Sequence, residues 1–369
     1  MTQTFKYIVP VEETHWKFPA CGEVAFTWDY DARSEDLLKL YSKGKKEQWD
    51  AETRIDWSLP VDPEDPMQMD DQVVPLFGTS LWKKLSAKQQ TDLRYHSQVF
   101  NLSQFLHGEQ GALVCAARIV QDAPRIESKF YAATQVMDEA RHVEAYRRLL
   151  TEKFRFVYPI SKPLKTLLEQ ALGDPRWDFT YLGMQVLIEG LALVAFQRIR
   201  DYSRNALCAS VNAYVMQDEA RHVAFGRLAL RDYYPELTDA ERREREEFVI
   251  EGCYHLRDRF NSPEMWEQLD MDWKVVGPVL DQAEGQIRFR KRLFSRIVPT
   301  VRDIGLWSDK VQKAFADLGG MQYANTNAQE MLDNDAKVAE EFDRKMQEGF
   351  GEKGGQNNIS VTAVEKPRL

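Results

Sequence analysis

The segment DEARHV occurs at residues 138–143 and again, eighty positions later, at residues 218–223. On a helix, residues three apart share a face. Each copy therefore places a carboxylate and an imidazole side by side: Glu139 with His142, and Glu219 with His222. One such pair is compatible with an ordinary solvated helix face. Two copies with no third exclude a solenoid and point to two helical hairpins in one bundle.

Two further glutamates tighten that reading. Glu109 lies in HGEQGALVCAARIV and Glu189 in GMQVLIEGLALVAF, apolar segments in which an unpaired carboxylate is costly. Each stands thirty residues ahead of its motif glutamate. An antiparallel hairpin levels residues equidistant from its turn. The midpoints are Pro124, which cannot occupy a helix interior, and Arg204, beside Ser203 as a candidate cap. Packing the two hairpins then gathers four carboxylates and two imidazoles at one level.

Buried charges must be paired or bind metal. Four carboxylates and two neutral histidines suit two divalent cations, and hard oxygen ligands with one imidazole per metal favour iron, or manganese, over zinc. The candidate ligands are Glu109, Glu139, His142, Glu189, Glu219 and His222. Metal-bound histidines usually donate their second ring N–H to a carboxylate or carbonyl, so Asp138 and Asp218 are each expected to orient the histidine of the opposite hairpin. Arg141 and Arg221 either neutralise this acidic layer or lie on the bundle exterior.

The rest of the chain fits an all-α protein. Helices are expected at about 34–48, 85–121, 125–151, 162–173, 178–202, 204–232, 239–261, 273–298, 307–318 and 324–347. Residues 1–80 read as an irregular, Pro-punctuated segment packed on the bundle, 81–348 as the helical di-metal domain, and 349–369 as a Gly- and Asn-rich flexible tail. The net charge of -9, from 49 basic and 58 acidic residues without a basic stripe, argues against a nucleic-acid partner. No signal-peptide pattern and no long uncharged apolar run is present, so no membrane span is expected. Four dispersed cysteines (Cys21, Cys115, Cys208, Cys253) read as reduced core residues of a cytoplasmic protein.

The six-residue pattern resembles the ferritin-like di-iron carboxylate oxidases and oxygenases. That resemblance implies a ferritin-like four-helix bundle with additional helices and an irregular N-terminal segment. It also implies two iron ions, or manganese in their place, which react with O2 to hydroxylate, desaturate, N-oxygenate or generate a radical. KGKKEQWDAETRIDW at 43–57 is similar to a segment of ribonucleotide reductase small subunits. By that resemblance Trp49, His142 and Asp218 would form an electron path and Tyr146 would stand at the radical position. Against a reductase subunit, the end of the chain is basic (VEKPRL), without the acidic, aromatic docking tail of that family.

The oxygenase branches fit with departures. Multicomponent hydroxylases and desaturases carry a Thr one turn after the third glutamate, where this chain has Leu193. The p-aminobenzoate N-oxygenases, similar in size and in the wording DEARHVAF, carry an extra His one turn before the last glutamate, where this chain has Val215. Leu113, Val114, Leu193 and Phe196 are candidate walls of a pocket for a small apolar or aromatic substrate. His107 and His255 are expected outside the site.

The leading expectation is an O2-activating di-iron oxygenase, a monooxygenase acting on a small organic molecule. The alternatives are a radical-generating or ligand-binding relative of the reductase subunits and a non-catalytic iron-binding bundle. Without a nucleotide loop or cysteine cluster, the oxygenase needs an external electron donor, a ferredoxin or flavin reductase. A homodimer is compatible with the sequence.

Overall fold

A computed structural model describes residues 11–14, 16–19, 22–31 and 33–347. The tail expected at 349–369 and Cys21 lie outside the described residues. Within them every regular element is a helix.

Near the N-terminus, α1 (Glu35–Lys46) starts at Ser34, whose side chain accepts from the Leu37 amide, and α2 (Ala51–Arg54) starts at Asp50. The first bundle hairpin follows. In it, α3 (Ala87–Asp122) opens with a Ser86–Gln89 capping box and α4 (Ile126–Arg148) returns antiparallel beyond Pro124. A π segment, Leu149–Phe154, extends α4 and ends at Arg155 in the left-handed conformation. The crossover contains α5 (Lys162–Gly173).

The second hairpin begins with α6 (Trp177–Tyr181), continues through a π segment at Leu182–Ile188 into α7 (Glu189–Tyr202), and returns as α8 (Ala206–Tyr233). The cap of α8 is Asn205, which accepts from the Cys208 amide; Ser203 instead donates to the Met67 and Asn205 carbonyls. The stretch Trp177–Tyr202 is apolar enough to cross a membrane, but 94% of its most apolar window is buried inside the protein. It is the core strut of the second hairpin.

The π segment was not expected from an uninterrupted helical pattern, because π and α turns use the same residue types. Its tight neighbours hold it. A Cβ on Gly183 would come within 2.6 Å of Ala171 on α5, and one on Gly252 within 2.6 Å of a Leu187 methyl. Wide turns of this kind concentrate at functional sites, and this one ends where Glu189 begins.

The C-terminal third wraps the bundle with α9 (Asp239–Asp258), α10 (Pro263–Gln268), α11 (Trp273–Gln282), α12 (Glu284–Leu293), α13 (Ile297–Asp303), α14 (Asp309–Asp317) and α15 (Ala328–Gln347). The single helix expected at 273–298 is thus three pieces. Ala283 is extended and separates α11, which carries Pro278, from α12. Helix-forming composition does not reveal such a break when tertiary packing sets it.

The apolar core forms two clusters, one containing Phe105, Tyr146, Leu193, Phe196 and Val215, the other Cys115, Tyr131, Leu187, Leu191 and Phe225. Along each bundle helix the two clusters meet within about a turn of the glutamate of the repeated pattern. A thin polar layer therefore crosses the bundle between them.

Candidate metal centre

Each of the four bundle helices contributes to that layer. Glu109 comes from α3, Glu139 and His142 from α4, Glu189 from the start of α7, and Glu219 and His222 from α8. All six are buried. They form two groups of four whose ligand atoms lie within 4.8 Å of one another: Glu109, Glu139, His142 and Glu219, and Glu139, Glu189, Glu219 and His222. Glu139 and Glu219 belong to both groups. The geometry is that of two adjacent cation positions with two shared carboxylates and one private Glu–His pair each.

His142 Nδ1 faces Glu109 Oε2 at 3.2 Å, Glu139 Oε2 at 3.3 Å and Glu219 Oε1 at 3.2 Å. His222 Nδ1 faces Glu139 Oε1 at 3.1 Å and Glu219 Oε1 at 3.6 Å. The opposite nitrogens donate across the hairpins: His142 Nε2 to Asp218 Oδ2 at 3.0 Å, and His222 Nε2 to Asp138 Oδ2 at 3.2 Å. With Nε2 carrying the hydrogen, a neutral imidazole presents its Nδ1 lone pair to carboxylate oxygens. Acceptors converge on acceptors, and only a cation or extra protons relieve that. Among the described residues, Glu139 Oε2, Glu189 Oε2 and both oxygens of Glu219 have no hydrogen-bond partner. This donor set fits two divalent metal ions.

The electrostatics agree. Burial opposes protonation of His142, but the surrounding carboxylates of Asp218, Glu109, Glu139 and Glu219 raise its pKa well above the usual imidazole value. For His222, burial is likewise outweighed by the charges of Glu139 and Glu219. Burial, and then the charge of Glu219, lift the carboxyls of Glu109 and Glu189 well above the normal range. Burial also acts on Glu139, where His222 and His142 outweigh it and hold the carboxyl far below that range. Without metal, protons are what neutralises this layer.

Behind the histidines lies a second, buried ionic layer. Arg141 donates to Asp138 Oδ1 at 2.5 Å and to Asp218 Oδ2 at 2.9 Å, and Arg221 donates to Asp218 Oδ1. The exterior alternative for these arginines is thus corrected: each is 4% exposed. The segment after α1 closes the layer. Glu47 accepts from Arg221, Gln48 bonds both Arg141 and Asp138, and the indole N–H of Trp49 donates to Asp218 Oδ2 at 2.8 Å.

Tyr146 is fully buried, packs edge-on to Phe105 and stacks on Phe196. Its phenol donates to Asn212 Oδ1 at 3.0 Å, and burial raises its pKa well above the usual value. Leu193 and Phe196 are fully buried in the core beside it, and Leu113 is half-buried. Val114 does not belong with them, since it is 50% exposed on the outer face of α3. A cavity of about 50 Å³ lined by Phe105, Asn101, Ala195 and Arg198 opens beyond the aromatic group. His107 bonds the Tyr158 carbonyl, and His255 is 3.6 Å from Glu251, both away from the metal layer.

Sequence reasoning missed Gln135 and Gln185, both fully buried. Gln135 Nε2 donates to Glu139 Oε1 at 3.0 Å and Glu189 Oε1 at 2.8 Å, and Gln185 Nε2 donates to Gln135 Oε1 at 3.3 Å. The available signal was spacing: each glutamine stands one turn before a site glutamate.

Comparison with known proteins gives three findings. The family model described as p-aminobenzoate N-oxygenase AurF matches residues 30–305. Among solved structures, similar chains include an R2-like ligand-binding oxidase variant with an aerobically reconstituted Mn/Fe cofactor, at 17% identity and a TM-score of 0.41, covering 80% of this chain and 95% of that one. A second is the oxidase with its metal cofactor after photoconversion, at 16% identity and a TM-score of 0.42, covering 82% and 96%. No curated protein matches the sequence.

Proposed function

The chain belongs to the p-aminobenzoate N-oxygenase AurF family, and from that premise we propose that it is a monooxygenase that inserts oxygen into a small aromatic substrate, with an arylamine nitrogen as the first candidate acceptor. It is a ferritin-like di-metal oxidoreductase. The observation that carries the proposal is the sharing of Glu139 and Glu219 by two four-ligand groups.

The residues that would hold the metals are Glu109 and His142 at one position, Glu189 and His222 at the other, and Glu139 and Glu219 between them. When bound, the metal pair supplies the redox capacity for reducing O2. The protein's part is to orient and to insulate. Asp218 and Asp138 fix the tautomer and ring angle of the two histidines, and Arg141 and Arg221 form ion pairs with those aspartates in a buried layer. Tyr146, Phe105, Leu193 and Phe196 form a dry apolar wall beside the Glu109–His142 position.

Insertion of one oxygen atom, with the other leaving as water, consumes electrons that the chain cannot store. An external donor, a ferredoxin or flavin reductase, supplies them in this reading. The Trp49–Asp218–His142 hydrogen-bonded chain is the candidate route from the surface, since Trp49 is only half-buried. The three described cysteines are unbridged, which supports a cytoplasmic setting.

The experiment is anaerobic reconstitution with ferrous ion, metal analysis, and oxygen consumption with p-aminobenzoate and other arylamines under chemical reduction. About two irons per chain and an N-oxygenated product are expected. A folded protein that retains no iron, or reconstituted protein that oxidises neither an arylamine nor another small aromatic, rejects the reading.

A further inference from the structure

The residues around the two metal positions are not alike. Residues eighty apart are counterparts in the two hairpins, and the ligands obey this rule throughout. Their immediate neighbours break it. Gln135 corresponds to Val215, Gln185 to Phe105, and Gly226 to Tyr146. The Glu109–His142 position thus borders Phe105 and Tyr146, whereas the Glu189–His222 position, which has the Tyr131 ring edge-on to His222, borders two carboxamides.

The carboxamides form a connected set. The two N–H bonds of Gln135 reach Glu139 and Glu189, which sit on different hairpins. Gln185 holds the carbonyl end of Gln135, at 3.3 Å. Gln185 in turn fits because the return helix of its own hairpin, α8, carries Gly226: a Cβ there would lie 2.4 Å from Gln185 Cβ. Glu109 has no equivalent support. Among the described residues its hydrogen-bonding partner is His142 alone.

We propose that Gln135, braced by Gln185 and Gly226, is a positioning residue that makes the Glu189–His222 position the tighter of the two metal positions. The proposal rests on the di-metal reading. Two amide hydrogens between Glu139 and Glu189 hold both carboxylates in place before a cation arrives and offset their mutual repulsion. Outer donors of this type change metal affinity by about 10–100-fold when removed. At the other position Glu109 must find its orientation as the cation binds. Metal loading is therefore stepwise, Glu189–His222 first.

The test uses the full chain and manganous ion, with unbound ion counted by electron paramagnetic resonance. Crystals loaded with one ion per chain locate it by anomalous scattering. The wild type should bind in two steps, with the first ion at Glu189–His222. Gln135→Leu should weaken that step the more, by about 10–100-fold, and Gly226→Ala, which displaces Gln185, should weaken the same step. Circular dichroism checks the fold of each variant, and Gln135→Met, of similar length and without a donor, replaces Gln135→Leu if the latter does not fold.

A first ion at Glu109–His142, or variants that leave both steps unchanged or weaken both equally, overturns the proposal while leaving the di-metal reading intact. A folded wild type that binds no pair of ions overturns both.

Discussion

Trp49 donates its indole N–H to Asp218 Oδ2, the same oxygen that receives the Nε2–H of His142, although the tryptophan and the aspartate are 169 residues apart. The guanidinium of Arg141 lies 4.6 Å from the Trp49 ring centroid. The N-terminal segment therefore reaches the metal layer through both aspartates, because Gln48 likewise donates to Asp138, whose other oxygen receives the Nε2–H of His222. Trp49→Phe keeps the packing and removes the donor. The expected result is retained metal occupancy with about tenfold slower reduction of the oxidised centre by an external donor, measured by stopped-flow absorbance. Unchanged reduction would remove Trp49 from the electron route.

Sharing of two carboxylates separates the ligands into classes that metal counting can distinguish. Glu219 belongs to both four-ligand groups and Glu109 to one. Glu219→Ala should depress binding of both ions, whereas Glu109→Ala should depress one and leave the other. Quantitative metal analysis after anaerobic loading reads the difference. Equal losses in the two variants would contradict the shared-carboxylate geometry.

Much of this layer was legible in advance because it depends on helical spacing alone. Equal thirty-residue separations about Pro124 and Arg204 placed Glu109 beside Glu139 and Glu189 beside Glu219. The crossing of Asp138 to His222 and of Asp218 to His142 followed from the same symmetry. What local pattern could not supply is whatever tertiary packing decides. The π turn before Glu189 depends on Gly183 and Gly252 meeting Ala171 and Leu187. The burial of Arg141 and Arg221 depends on Glu47 and Gln48 arriving from a distant segment. The division of 273–298 into three helices falls at Ala283 and at 294–296 rather than at Gly277, Pro278 or Gly285, the residues whose propensity would have marked a break.

Metal loading should release protons and should weaken as pH falls. In the metal-free protein the pKa values of His142 and His222 lie well above the usual imidazole value, burial being outweighed by the surrounding carboxylates. Both rings are therefore protonated near neutrality, and a cation must displace those protons. The same shift fixes the sign for the metal-free fold. A raised histidine pKa stabilises below the unfolded value of about 6.5 and loses that contribution as pH rises through the folded pKa. Metal-free protein is thus expected to lose stability toward alkaline pH, and metal-loaded protein toward acid. Thermal unfolding of both forms across pH, with proton release followed in weak buffer, checks the pair of trends. Parallel pH profiles would refute them.

Tyr146 distinguishes an oxygenase from a radical-generating subunit. Its phenol is fully buried and bonded to Asn212, and Asn212 is itself held by its amide to the Cys208 carbonyl. Removing the hydroxyl leaves Asn212 Oδ1 without its donor in a buried site, a loss of about 1–3 kcal/mol. Tyr146→Phe should therefore lower stability by that amount in urea unfolding. The ring that packs against Phe105 and Phe196 is preserved, so metal content and product formation should stay near wild type. A persistent tyrosyl signal in the electron paramagnetic resonance spectrum of oxidised wild type, lost together with activity in the variant, would instead assign Tyr146 to radical chemistry.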